Sequence, residues 1–152
     1  HDTERILTTA KGDLPSVKSA LALLYLQRGT PCIYYGTELA LIGGPDPDCR
    51  RVMPWDRVSV DNDMLNFMKE LIQLRKEVAG MIQYGKVSLE ELEPDVVAVE
   101  WRHEGNMLKA YFNQSKKDLV LEREQVDLMS LWNISDDRLI IQPNGFVIYR
   151  EN

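Results

Sequence analysis

Residues 30–38 read TPCIYYGTE, and this stretch decides how the first half of the chain is interpreted. The apolar run 32–35 is bounded by Pro31 and Gly36, which predicts a short buried strand. Apolar residues at helical spacing predict a helix over residues 15–28, immediately before that strand. A short strand directly after a helix is typical of an α/β unit in a parallel sheet.

A second helix is predicted over residues 61–78, after the glycine- and proline-containing loop 36–60. The first half of the chain therefore contains one predicted strand, and one strand cannot make a parallel sheet. We expect residues 1–79 to be the end of an α/β fold that lacks most of its sheet. Beyond them, residues 80–152 show the alternation of apolar and polar side chains that predicts a small antiparallel β domain.

The composition is typical of a folded protein. The chain has 152 residues, of which 44% are hydrophobic and 28% charged, enough for a packed core in one domain or two small ones. Eighteen basic and 24 acidic residues give a net charge of −6, which disfavours a nucleic-acid groove. No apolar run approaches the about 18 residues of a membrane span. Because the chain begins with His1, we consider a missing N-terminal portion beside processing or a cloning choice.

Three segments carry candidate chemistry, and each also has a plainer structural interpretation. His1 and Asp2 place an imidazole beside a carboxylate, a pair that binds sugar hydroxyls or transfers protons but that also suits a frayed terminus. The tyrosines of residues 34–38 can stack on a ligand or pack under a loop. Acids and arginines held by prolines in residues 46–56 suit a polyhydroxylated ligand. Their spacing does not match an EF-hand and the arginines compete for the acids, so we expect no metal ion.

Taken together and in this order, the three segments resemble motifs of the α-amylase superfamily, glycoside hydrolase family 13. HDTER at residues 1–5 is similar to the motif after the seventh barrel strand, and residues 30–38 are similar to the eighth strand. GGPDPDCR at residues 43–50, followed by MPWD at 53–56, looks most like the neopullulanase, cyclomaltodextrinase and maltogenic amylase branch. The resemblance covers the whole chain.

The resemblance implies a fold that is α+β as it stands. Residues 1–79 would be the C-terminal part of a (β/α)8 TIM barrel, with helix seven at 15–28, strand eight at 32–35 and helix eight at 61–78. Residues 80–152 would be an antiparallel β-sandwich C-terminal domain. Without the other barrel strands, the first half would pack on the β domain as a helical annex, pair with another copy, or stay mobile.

The resemblance also implies retaining hydrolysis of α-1,4 glucosidic bonds in maltodextrin, cyclomaltodextrin or pullulan. Whether α-1,6 bonds are hydrolysed as well is left open. Asp2 matches the family's third catalytic carboxylate, which stabilises the distorted, oxocarbenium-like sugar, and His1 matches a histidine that binds the same sugar. Asp46 and Arg50 match a pair that contacts the next sugar toward the non-reducing end. The nucleophile and the acid/base lie on barrel strands four and five, which this chain does not contain. We therefore expect the chain alone to be inactive.

An alternative remains: a non-catalytic carbohydrate-binding or scaffold β domain with a helical annex. A sugar platform would need Trp101 or Trp132 exposed, but Trp101 lies on the same alternating face as Val97 and Val99, which favours a core position. We expect α-glucan oligosaccharides as partners of the intact enzyme, with no cofactor, nucleic acid or membrane. Self-association stays open. The resemblance, with only two cysteines, suggests a bacterial cytoplasm.

Overall fold

The computed structural model describes residues 2–121, 127–135 and 139–151. The helices are α1 (Ile6–Thr9), α2 (Leu14–Tyr25), α3 (Asp63–Glu77) and α4 (Ala79–Tyr84). Three short 3₁₀ turns lie between α2 and α3, at Thr37–Leu39, Asp48–Arg50 and Trp55–Arg57. The strands are β1 (Lys86–Glu93), β2 (Val96–His103), β3 (Asn106–Asn113), β4 (Leu119–Val120), β5 (Asp127–Ser135) and β6 (Ile140–Glu151).

Both long helices are where the apolar periodicity predicts them. The helix predicted over 15–28 is α2, which has a proline in its first turn and ends three residues earlier than expected, at Tyr25. The helix predicted over 61–78 is α3, and the side chain of Asn62 caps it by accepting a hydrogen bond from the Leu65 amide at 2.9 Å. A further short helix, α4, follows directly, so the β half begins at Lys86 and not at residue 80.

The strand predicted over residues 32–35 is wrong for this chain. The segment runs between α2 and the turn at Thr37–Leu39 without forming a regular element. A strand exists only by hydrogen bonding to a neighbouring strand, and all six described strands belong to the β half of the chain. Apolar composition alone could not supply the missing neighbour.

The β half forms one curled antiparallel sheet. Its strands lie in the order β1-β2-β3-β6-β4, and β5 pairs with β6 as well. All the pairings are antiparallel, and β2 and β3 are joined by a tight turn between His103 and Asn106. The α+β class is therefore confirmed, and the described strands form a single curled sheet in place of two separately stacked ones.

The helices pack on one face of this sheet and share its core. Val99, Trp101, Leu108, Phe146 and Ile148 point into a cluster with buried side chains of α2, α3 and α4. Trp101 is 2% exposed, as its place on the same alternating face as Val99 predicts, so its ring cannot serve as a sugar platform. The side chain of Trp132 lies outside the described side chains. A smaller cluster around Ile141 and Val147 covers the opposite face. The helices of residues 2–84 thus pack on the sheet as a helical annex, which is one of the three arrangements expected for the first half of the chain.

No helix in the described part of the chain has the length and the apolar character needed to cross a bilayer.

A buried lysine links the two long helices. The side chain of Lys18 on α2 is fully buried, and its Nζ lies 2.6 Å from Asp63 Oδ2 in the first turn of α3. The ammonium also lies 5.1 Å from the centre of the Phe67 ring. Burial lowers the pKa of Lys18 from 10.5, and the hydrogen bond to Asp63 offsets part of this effect. The charge of Asp63 is therefore what makes a lysine tolerable at this position.

We expect Asp63→Asn to lower the free energy of unfolding by about 1–2 kcal/mol, because the buried ammonium loses its carboxylate; the exposure of Asp63 keeps the loss below that of a fully buried pair. Lys18→Met should maintain or raise stability, since methionine fills the same space without a charge. Urea unfolding at pH 7 measures both. Asp61→Asn, which removes a nearby exposed carboxylate, is the control and should have little effect.

The pH dependence of the same pair has a defined sign. Between the lowered pKa of Lys18 and 10.5, the unfolded chain binds more protons than the folded chain. The stability of the wild type relative to Lys18→Met should therefore increase as the pH rises through this window. A difference that stays constant or decreases would show that the ammonium is not buried.

Candidate functional site

Arg50 holds two carboxylates that are far apart in the sequence. Its Nη2 donates to Asp2 Oδ1 at 3.0 Å, and its Nε lies 2.6 Å from Asp46 Oδ1. The three side chains are between 49% and 68% exposed, so a ligand can reach them. Asp46 and then Asp2 raise the pKa of Arg50 by their negative charge. The structure thus brings together three of the four predicted site residues, and the fourth, His1, lies outside the described residues.

The loop that carries Asp46 and Arg50 is fixed by Asp48. Its carboxylate accepts two hydrogen bonds from Arg51, each of 2.8 Å, and one from the Gly44 amide at 2.6 Å. These donors, Arg51 foremost, lower the pKa of Asp48. The backbone at Gly43 also lies close to the backbone at Asp48, since an added Cβ at position 43 would lie 2.7 Å from the Asp48 carbonyl oxygen. The loop therefore needs both a carboxylate at 48 and a glycine at 43.

Arg5 joins this loop to the terminal segment and to the segment 32–35. Its residue surface is 4% exposed. The guanidinium donates through Nε to the Cys49 carbonyl at 2.6 Å and through Nη1 to the Tyr35 carbonyl. Its central carbon lies 4.3 Å from the ring centre of Tyr34 and 4.6 Å from that of Tyr35. The Arg5 amide donates to the Gly43 carbonyl at 2.9 Å.

Sequence reasoning assigned no role to Arg5, although the residue stands in the HDTER motif. Its partners lie 30 and 44 residues away in the sequence, so no local sequence pattern predicts these contacts. The two tyrosines were considered as ligand-stacking groups, and they contact the guanidinium of Arg5 instead. Tyr35 also donates through its hydroxyl to the Arg51 carbonyl at 2.8 Å. The tyrosine pair therefore helps to hold Arg5 and the loop backbone at Arg51 in place.

The Asp2–Arg50–Asp46 row presents hydrogen-bond acceptors and donors side by side. Such a row can hold the vicinal hydroxyls of a sugar, each of which both donates and accepts. Within residues 2–121, 127–135 and 139–151, no group of three or more His, Cys, Asp or Glu side chains is placed to hold a metal ion.

The comparison with known proteins identifies the chain's relatives. It is 34% identical over 161 residues to the intracellular maltogenic amylase of Bacillus subtilis (strain 168), an alignment that includes 97% of this chain. It is 33% identical over 156 residues to the cyclomaltodextrinase of Thermoanaerobacter pseudethanolicus, covering 99% of this chain. The chain is homologous to this branch of the α-amylase superfamily. The resemblance carried by the three motifs is confirmed.

The solved structure of a maltogenic amylase from S. marinus superposes on 99% of the chain with a TM-score of 0.83 and 27% identity. The chain covers 21% of that structure and 27% of the length of each of the two relatives. It therefore spans about a quarter of the curated relatives that it matches. No protein-family model matches the chain.

Arg5→Lys should lower the free energy of unfolding by about 2 kcal/mol, because the single nitrogen of lysine cannot occupy both the Nε and the Nη1 positions from which arginine donates to the two carbonyls. The Gly43 amide donates to Thr8 Oγ1 at 2.9 Å, and its hydrogen exchange with water should become faster as the loop loosens. Arg28→Lys is the matched control, since Arg28 donates to one carbonyl, that of Gly85. Equal effects of the two substitutions would contradict the role of Arg5.

The low pKa of Asp48 predicts how the loop responds to acid. Above the usual carboxyl pKa of about 4 its hydrogen bonds contribute fully, and they are lost as the pH falls through the lowered value. The chemical shift of the Gly44 amide should therefore titrate with a midpoint below about 4 in the wild type, and the transition should disappear in Asp48→Asn. A wild-type midpoint at or above that value would contradict the pairing with Arg51.

Proposed function

We propose that this chain is the C-terminal part of a retaining α-glucan hydrolase and that it supplies the sugar-gripping half of the active site. Asp2 would stabilise the oxocarbenium-like sugar, and His1 would bind the same sugar. Asp46 and Arg50 would hold the next sugar toward the non-reducing end. The observation that carries the proposal is Arg50 bridging Asp2 and Asp46 at 3.0 and 2.6 Å.

The bond-breaking groups would come from the part of the protein that this chain does not contain. In a retaining mechanism one carboxylate attacks the anomeric carbon while a second protonates the leaving oxygen. A negative charge at Asp2 favours the positive charge that develops on the sugar ring, and Arg50 holds that carboxylate in place through one of its two oxygens. The substrates would be maltodextrins, cyclomaltodextrins or pullulan, in line with the names of relatives that include a maltogenic amylase, a cyclomaltodextrinase and a neopullulanase.

Two buried polar atoms support the view that residues 2–84 belong to a larger barrel. Arg5 Nη2 and Glu38 Oε2 are both buried and have no hydrogen-bond partner among the described residues. Glu38 lines a cavity of about 280 Å³ whose walls include the apolar side chains of Ile33, Met68 and Ile72. Native proteins pair almost all buried polar atoms, so a further part of the protein would provide their partners here. In that setting residues 32–35 would gain neighbouring strands.

The role of residues 86–151 would be that of a scaffold. One face of the curled sheet is covered by α2, α3 and α4 in a shared core, so the sheet would steady this helical layer. The alternative of a carbohydrate-binding module based on a Trp101 platform is contradicted by the burial of that ring. We also propose a cytoplasmic location, supported by the name of the B. subtilis relative.

The 152-residue chain should release no reducing ends from cyclomaltodextrin, maltotriose or pullulan, because under this proposal the nucleophile and the acid/base lie in another part of the protein. Joined to the upstream part of the same protein, it should hydrolyse them. In that enzyme Asp2→Asn should lower kcat by about 100-fold or more, as expected for a charge that acts on the transition state. Asp61→Asn is the control.

Activity of the 152-residue chain that survives repurification would mean that it carries its own nucleophile and acid, and the proposal would be wrong. A restored enzyme with normal kcat and Asn at position 2 would remove the role of Asp2 while leaving the family relationship intact.

A further inference from the structure

Arg50 belongs to two sugar positions of the proposed active site at once. Asp2 would act on the sugar that is cleaved, whereas Asp46 would hold the next sugar toward the non-reducing end, here called the outer sugar. Arg50 donates to Asp2 through Nη2, and its Nε lies 2.6 Å from Asp46. Both nitrogens belong to one rigid planar group, so a shift of the plane at one contact moves the donor of the other. One side chain therefore links the two sugar positions.

The backbone that carries Arg50 is anchored on both sides. Cys49 is 1% exposed, and its carbonyl accepts the hydrogen bond of 2.6 Å from Arg5. On the other side Arg51 donates two hydrogen bonds to the carboxylate of Asp48. Because both flanking residues are fixed, the freedom that remains at this point of the loop belongs to the Arg50 side chain.

Without a ligand, the Asp2–Arg50–Asp46 row is open to water. The side chains of Arg50 and Asp46 are each 49% exposed, and that of Asp2 is 68% exposed. Ion pairs between side chains this exposed are weakened by water and salt and restrict motion little. A glucose unit that lies across Arg50 and Asp46 would exclude water from this pair, which strengthens the pair and fixes the guanidinium plane. The Nη2 that holds Asp2 is fixed by the same event.

We propose that Arg50 couples the outer sugar to the catalytic step, so that the enzyme is fast only on glucans with at least two glucose units on the non-reducing side of the cleaved bond. The inference rests on the proposed function and adds a substrate requirement to the same site. Arg50 acts as a positioning residue for Asp2, in addition to its contact with the outer sugar. Part of the binding energy of the outer sugar is thereby used to orient the carboxylate that stabilises the transition state.

The kinetic constants distinguish this coupling from simple binding. A contact that only holds the outer sugar stabilises the bound substrate and the transition state equally, so its loss raises KM and leaves kcat unchanged. A contact that orients Asp2 acts on the transition state, so its loss lowers kcat. The coupling also requires that the effect of Arg50 on kcat depends on the outer sugar and on the charge of Asp2.

The test uses the chain joined to the upstream part of the same protein and measures nitrophenol release from two substrates. p-Nitrophenyl α-glucoside offers one glucose unit, and p-nitrophenyl α-maltoside offers two. The wild-type kcat should be about tenfold or more higher for the maltoside. Arg50→Met should lower kcat for the maltoside about tenfold and change kcat for the glucoside less than about twofold. In an Asp2→Asn background, Arg50→Met should leave kcat for the maltoside unchanged, because no charge remains to be oriented.

Two further variants complete the experiment, with circular dichroism to verify the fold of each. Arg50→Lys keeps the charge, but its single nitrogen cannot occupy both the Nε and the Nη2 positions, so it should lose kcat for the maltoside as well. Arg57→Met is the matched control, because Arg57 is an exposed arginine of the same connection between α2 and α3, and it should leave both kcat values unchanged.

Two results would overturn the coupling and leave the proposed function intact. If Arg50→Met raises KM for the maltoside while kcat stays at the wild-type value, Arg50 only binds the outer sugar. If Arg50→Met lowers kcat equally for both substrates, Arg50 acts on Asp2 without any influence of the outer sugar. A joined protein that hydrolyses neither these substrates nor cyclomaltodextrin would instead contradict the proposed function itself.

Discussion

The guanidinium group of Arg5 is buried between three segments of the chain, and the geometry of the candidate site depends on it. It donates to carbonyls of the segment 32–35 and of the loop that carries Arg50, and its own amide pairs with Gly43. Burying a charge is costly, and the two carbonyls and the rings of Tyr34 and Tyr35 offset part of that cost, so they must be in place together. Asp2 is three residues from Arg5, which is why it reaches Arg50.

The same principle acts at a second place, in the helical layer. Lys18 brings a charge into the core between α2 and α3, and Asp63 compensates it from the surface. Both contacts join segments that are 30 or more residues apart in the sequence. Each holds together segments that, in the relatives, form part of a much longer chain. The apolar core shared with the curled sheet supplies the bulk of the packing, while the two cations fix how its pieces are arranged.

The sequence predicts those features of the fold and the site that are encoded within a few neighbouring residues. The helices α2 and α3 follow from apolar periodicity and an asparagine cap, and Trp101 follows from alternation, since each is encoded within a few residues. The segment 32–35 has the composition of a strand, but strand formation needs a partner that composition cannot supply. Arg5 could not be found because its partners are distant. The proximity of Asp2, Asp46 and Arg50 was expected only through the family resemblance, because nothing in their spacing brings them together.

The most direct test of this account is an NMR measurement on the side chain of Arg5 in the 152-residue chain. If the guanidinium joins the three segments, its Nε–H gives a separate signal that exchanges slowly with water and shows nuclear Overhauser effects to the rings of Tyr34 and Tyr35. An Nε–H signal that exchanges rapidly with water and shows no such contacts would contradict the account, because Arg50 would then have no fixed frame from which to hold Asp2 and Asp46.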